Sequence, residues 1–180
     1  MKTTAKILFI IALLFLSIGM IPTFVRTVEE KQFNNNCTVH IKSAVKAESV
    51  EEAKKELEEA ISYAEKNGLT EGNTGVFSRE SKNDIGLWYQ NILAAYKSLE
   101  EIPYDANNME KNYTLMNLRN ILMYEKNDKF FVILPERIGT YPNNTKYFMI
   151  EAIASCTGII LSMATLLANW QWDKKKEIKL

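Results

Sequence analysis

Two apolar runs bracket a polar middle. Ile7–Val25 is apolar and uncharged, and Tyr147–Trp170 is of similar character with one charge, Glu151. A helix rises about 1.5 Å per residue, so about 20 apolar residues cross a hydrocarbon core roughly 30 Å thick. Neither run has a polar face, which predicts membrane spans rather than amphipathic core helices. The chain therefore reads as a short tail (1–6), a first span (7–25), a middle domain (26–146), a second span (147–170) and a basic tail (171–180).

Within the middle, the pattern changes period several times. Thr38–Val45 alternates, with Val39, Ile41, Ser43 and Val45 on one side, and predicts a short strand. Ser49-Val50-Glu51-Glu52 is a capping box, followed by Val50, Ala53, Leu57, Ala60, Ile61 and Ala64 at helical spacing and an Asn67-Gly68 stop. Leu69–Phe77, with Gly72, Asn73 and Gly75, predicts a loop. A second helix starts near Ser81 or Asn83, uses Ile85, Trp88, Ile92, Ala95, Tyr96 and Leu99, and stops before Pro103. The short connection predicts an antiparallel hairpin of these two helices. A third helix spans about Met109–Leu122, using Met109, Tyr113, either Met116 or Leu115, then Leu118 and Leu122. Asn127-Asp128 turns the chain into a buried strand, Phe130–Leu134, expected to pair with the Thr38 strand. Pro135–Asn144 then reads as an extended tether. The expected fold class is a mainly α membrane protein: two transmembrane helices flanking an extracytoplasmic helical-hairpin domain with a short two-stranded sheet.

Charge sets the expected orientation. Lys2 and Lys6 precede the first span, and Lys174, Lys175, Lys176 and Lys179 follow the second. The middle holds 16 basic and 19 acidic residues. The positive-inside bias puts both termini in the cytoplasm and the middle outside, with the plasma (inner) membrane as the expected location. A cleaved signal competes with a signal anchor for the first run. The run is longer than a usual signal core, and only Ser17-Ile18-Gly19 approaches a cleavage site, so an uncleaved anchor is expected. The overall charge is zero and the middle has no basic stripe, so no nucleic acid is expected as a partner. Three glycosylation sequons, at Asn36, Asn112 and Asn143, are no more than an Asn- and Thr-rich composition supplies.

Candidate chemistry is sparse. Cys37-x-x-His40 offers two metal-type ligands where three or four are needed, and in a strand the two would face opposite ways. No metal, cofactor or catalytic residue is expected. A single histidine and no nucleophile elbow close the hydrolase route. Cys37 and Cys156 differ in expected depth, which leaves Cys37 either paired with another chain or packed as a free thiol. The acidic residues of Glu48–Glu59 read as the solvated face of their helix.

Three features point to interaction. Ala154-x-x-x-Gly158-x-x-x-Ser162 aligns small residues on one stripe of the second span, where another helix can approach closely, and Ala12 and Gly19 offer a matching face on the first. Glu151, about one turn inside the second span, reads as an interfacial carboxylate that reaches headgroups or a basic partner. Gly72, Asn73, Trp88 and Tyr89 mark a partner surface at one end of the hairpin, because adjacent aromatics on a helix are not expected to face one core together. The span–domain–span layout is similar in outline to bacterial sensor ectodomains, but tails of about six and ten residues hold no signalling domain. The expected role is a non-enzymatic accessory, assembly or scaffold subunit. Its expected partners are the bilayer and another membrane protein or a second copy. An extracytoplasmic ligand-binding sensor or transport accessory is the alternative. A pore former ranks lower, because neither span has a polar face.

Overall fold

The computed structural model describes residues 3–77 and 79–177, apart from the side chains of 173 and 175–177. Lys2 and Lys179, and the side chains of Lys175 and Lys176, used above for orientation, lie outside the described residues. The chain forms two compact units: Val28–Asn144, and Met1–Thr27 with Thr145–Leu180. It is mainly helical, with one two-stranded sheet and two helices long and apolar enough to cross a membrane among the described residues.

Those two helices are α1 (Thr3–Phe33) and α6 (Asn144–Glu177). Their unit is an antiparallel pair: residues 12 and 16 of α1 lie against 158, residue 19 against 154 and 155, and residue 26 against 151. Many of their apolar side chains are largely exposed, including Leu14, Met20 and Phe24 on α1 and Ile160, Leu166 and Leu167 on α6. Such surface is stable only where something other than water covers it.

The middle unit is a helical bundle. The helix does not break after α1; it passes through one π turn, Asn34–Thr38, into α2 (Val39–Lys46). This corrects the strand expected at Thr38–Val45. Cys37, Thr38, Ile41, Ala44 and Val45 are the buried positions, at spacings of one, three, three and one, which is a helix face. Continuing an existing helix also avoids the unfavourable nucleation that an isolated segment of this length would face.

The helix α3 (Val50–Lys66) has Ser49 as its N-cap, accepting from the Glu52 amide. The reciprocal arm of the box reaches one residue further back, to the Glu48 amide. Gly68 sits at positive φ just past its end. The helix α4 (Ile85–Glu100) is capped by Asp84, whose carboxylate accepts from the Leu87 amide. Tyr89 meets Glu65 while Lys54 meets Glu100, so α3 and α4 are antiparallel. Their facing residues, Ala53, Leu57, Ala60, Ile85, Ile92 and Ala95, are fully buried. The helix α5 (Asn108–Leu122) starts with a complete capping box, Asn107 with Glu110. It packs its Leu115, Leu118 and Leu122 register into the core and leaves Met109, Tyr113 and Met116 outside.

The sheet differs from expectation. Strand β1 (Met123–Lys126) pairs antiparallel with β2 (Lys129–Val132), and the expected Phe130–Leu134 strand is thus shorter, largely exposed and paired locally. Asn127 and Asp128 both adopt positive φ, the condition for a two-residue hairpin turn whose twist suits the strands. Pro135–Asn144 is not an extended tether. It coils through a 3-10 turn at Ile138–Thr140, buries Ile138, Thr140 and Asn144, and includes a cis Tyr141–Pro142 bond.

Candidate functional site

Small residues let α1 and α6 approach closely. A Cβ on Gly158 would stand 2.8 Å from Leu16 Cδ2 and 3.4 Å from the Ala12 carbonyl. A Cβ on Gly19 would stand 3.4 Å from the Ala154 Cβ. Ala154 and Gly158 thus face the chain's own first helix. Ser162 is only half-buried and returns its hydroxyl to the Gly158 carbonyl at 2.8 Å. The buried line runs from Gly158 to Thr165 instead, and on α1 through Ala5, Ala12 and Gly19. Seven-residue spacing on both helices is the seam of a shallow left-handed crossing, which departs from a straight four-residue row within two turns.

One end of this pair is polar. Glu151 accepts from Arg26 Nη1 at 2.8 Å and from the Thr23 hydroxyl at 3.3 Å. The Arg26 guanidinium also lies 5.8 Å from the centre of the Tyr147 ring, within cation–π range. Arg26 and Thr23 were not singled out from sequence. The available signal was Arg26 directly after the first apolar run, where an antiparallel pair of spans brings it level with Glu151. Towards the other end of α6, Lys174 lies over the Trp170 ring at 4.4 Å.

In the middle unit, the Gly72–Asn73 loop is occupied with holding itself. Gly72 has φ of +113°, and a Cβ there would collide with the Tyr141 hydroxyl. The Asn73 side chain accepts from the Gly75 amide at 2.9 Å and donates to the Glu80 carbonyl at 3.3 Å. The Thr74 amide is spent on the Asn83 carbonyl. Asn144 reaches across to the Thr74 carbonyl at 3.1 Å and also bonds the Thr140 hydroxyl. The loop is a structural turn latched through Asn144, the first residue of α6.

Trp88 and Tyr89 are both buried, which corrects the expectation that one would be exposed. The α4 helix is covered on two sides. Trp88 packs beside Phe33, ring centres 6.2 Å apart, and Tyr89 donates its hydroxyl to Glu65 at 2.7 Å. Burial first, and the Glu65 carboxylate second, push the Tyr89 phenol up to about 12. The exposed aromatics of the middle unit are Phe77 at the end of the Leu69–Phe77 loop, Tyr104 ahead of α5, Tyr113 on it, and Tyr124, Phe130 and Phe131 on the hairpin.

Cys37 and His40 are one helical turn apart, not on opposite faces, yet each is engaged separately. The Cys37 thiol is fully buried, lies 3.8 Å from the Ala60 carbonyl, and is pushed by burial up to about 12. His40 Nδ1 lies 2.8 Å from Glu56 Oε2. Among the described residues, no group of three or more His, Cys, Asp or Glu side chains converges. Cys37 is a packed thiol here and is not placed to bridge another chain.

A groove of about 540 Å3 lies between the end of α2, the end of α5 and the hairpin. Lys46, Arg119, Met123, Glu125 and Phe130 line it, and Arg119 Nε donates to the Val45 carbonyl at 2.7 Å. Sequence reasoning missed this site because its walls come from three elements, one of them first read as a strand. Comparison of the chain with protein-family models, curated proteins and solved structures finds no match.

Proposed function

We propose that this chain is a non-enzymatic two-pass membrane protein that works by interaction, as an accessory, assembly or scaffold subunit of a membrane complex. Both termini face the cytoplasm, and Val28–Asn144 is held on the outer side of the plasma (inner) membrane. One observation carries the reading. The chain's own small-residue seam and the Arg26–Glu151 pair join α1 to α6, while the large apolar side chains on their other faces stay bare. A hairpin anchor of this kind inserts as a unit and presents a folded domain. Bare α5 and hairpin aromatics on the middle unit supply the contact surface.

Native-membrane purification at low detergent tests the role. Recovery of a stoichiometric protein partner or a second copy supports it. A lone chain carrying a bound small molecule would favour the sensor or transport reading instead. A cysteine placed at Ser62 tests orientation. It should label in intact cells, and labelling only after lysis would refute the topology.

A further inference from the structure

We propose that α5 is a self-association surface: it pairs antiparallel with α5 of a second copy, whose Tyr104–Asp105 turn enters the groove beside Lys46 and Arg119. The proposal rests on the interaction reading above and names its surface and its partner.

The core takes only one of two apolar rows on α5. The other, Met109, Tyr113, Met116 and Asn120, steps by four, three and four residues. That is the spacing of a helix–helix seam. It is bare: Met109 is 82% exposed, Tyr113 67% and Met116 53%. Tyr104, just ahead of the helix cap, is 100% exposed, and Phe130 at the groove is 66% exposed. An amphipathic helix in a monomer has no reason to carry methionines and a tyrosine at seam spacing on its outer side.

Charge selects the partner and the register. With Tyr113 opposite the second copy's Met116, and Met116 opposite its Tyr113, the flanking pairs are Asn112 with Arg119 and Glu110 with Asn117. No like charges meet, and the central pairs are sulfur–aromatic contacts, which are favourable. Moving the register by one heptad would bring Arg119 against Arg119. A parallel pair would set each Tyr104–Asp105 turn beside its equivalent and leave the groove empty. The first arrangement avoids the Arg119–Arg119 contact, and it is two-fold symmetric, as a closed homodimer requires.

The same register brings the N-terminal end of one α5 to the C-terminal end of the other. There the groove offers the cations Lys46 and Arg119, against the single carboxylate of Glu125, to Asp105, and Met123 and Phe130 to the Tyr104 ring. Burying these five exposed side chains in both copies removes roughly 700 Å2 per copy, taking about 200 Å2 for a whole side chain. A standard stable interface buries about 800 Å2 per partner. Confinement to one membrane raises the effective concentration further.

The test uses the full chain in nanodiscs, with Cys156→Ser to remove the exposed thiol. Two differently tagged copies carry Tyr113→Cys and Met116→Cys respectively. Oxidation should give a mixed crosslinked dimer, at least tenfold more than a Tyr113→Cys and Lys66→Cys pair gives. Tyr104→Ala, at a position with no contacts to lose, should reduce the product at least fivefold without changing the folded spectrum. A mixed dimer that crosslinks equally at both pairs, or is unaffected by Tyr104→Ala, overturns the α5 interface. Recovery of a different protein with no self-crosslink overturns this inference and leaves the interaction role standing.

Discussion

Arg26 and Glu151 stand 125 positions apart in the chain, and their side chains meet at 2.8 Å. The pair ties the two long helices at their polar end, and its environment is poorly hydrated if those helices lie in a bilayer. Arg26→Ala leaves a carboxylate without its cation, which should cost about 1–3 kcal/mol. Glu151→Gln should cost less, because it can still accept from Arg26 and Thr23. The exchanged pair, Arg26→Glu with Glu151→Arg, should recover at least half of the single-variant loss. Thermal unfolding in detergent measures all four. Additive losses with no recovery in the exchanged pair would show that the two groups are not coupled.

The helices approach closely at Gly158, with Leu16 already 2.8 Å from the place a Cβ would take. Gly158→Leu should therefore push α1 and α6 apart, an overpacking cost of about 1–3 kcal/mol. Insertion should persist, because Leu is at least as apolar. Ile160→Leu, on the bare side, is the control and should change nothing measurable. The readout is disulfide crosslinking between cysteines placed at Gly19 and Ser155 in a Cys156→Ser background. Equal yields from the two variants would show that the seam does not hold the pair.

Leu57 and Ile92 are fully buried on facing helices of the middle unit. Truncating either to Ala removes buried methyl groups and leaves a cavity, at about 2–5 kcal/mol each. Amide hydrogen exchange across α3 and α4 in the solubilised full chain reports the loss. Changes under about 0.5 kcal/mol for both would contradict the packing described here.

Where local signals agreed, the fold was legible from residues. Ser49 with Glu52, Asn67-Gly68, and the helical recurrence of Ala53, Leu57 and Ala60 all point to one helix, and α3 has those bounds. At Thr38–Val45 two periods coexisted. Val39, Ile41, Ser43 and Val45 alternate, but Cys37, Ile41, Ala44 and Val45 make a helix face, and eight residues cannot separate the two. What decides is upstream: α1 delivers a helix already nucleated. Misreading that segment displaced the hairpin as well, since Phe130 was given a distant partner when Met123–Lys126 lay two residues away. A short loop closes at less entropic cost than a long one.

The candidate sites divide along the same line. Ala154 and Gly158 were visible because close helix approach needs small side chains, whichever helix comes. Arg26 was not, because its role depends on how the two helices are threaded. Trp88 and Tyr89 were adjacent aromatics on a helix expected to have one covered face. Phe33, which follows the first apolar run, supplies the cover for Trp88 that the local pattern could not show.

Cys37 and Tyr89 make alkaline stability a test of the core. Burial raises both groups, the thiol from 9.0 and the phenol from 10.0, each to about 12. The folded chain therefore keeps these protons when the unfolded chain has released them. Unfolding then releases protons, so stability falls as pH rises. Their contribution is fully present below about pH 9, declines between there and pH 12, and is lost above it. Cys37→Ala combined with Tyr89→Phe keeps most of the packing and removes both titrations. Unfolding midpoints from pH 7 to 11.5 should fall less steeply for the double variant than for the parent; Tyr63, raised by burial and by the neighbouring Cys37, moves back toward its ordinary value in the double variant and adds to the difference. If the two slopes coincide, neither group is held neutral by the core, and the packing of Cys37 against Ala60 and of Tyr89 against Glu65 is not what the solution structure contains.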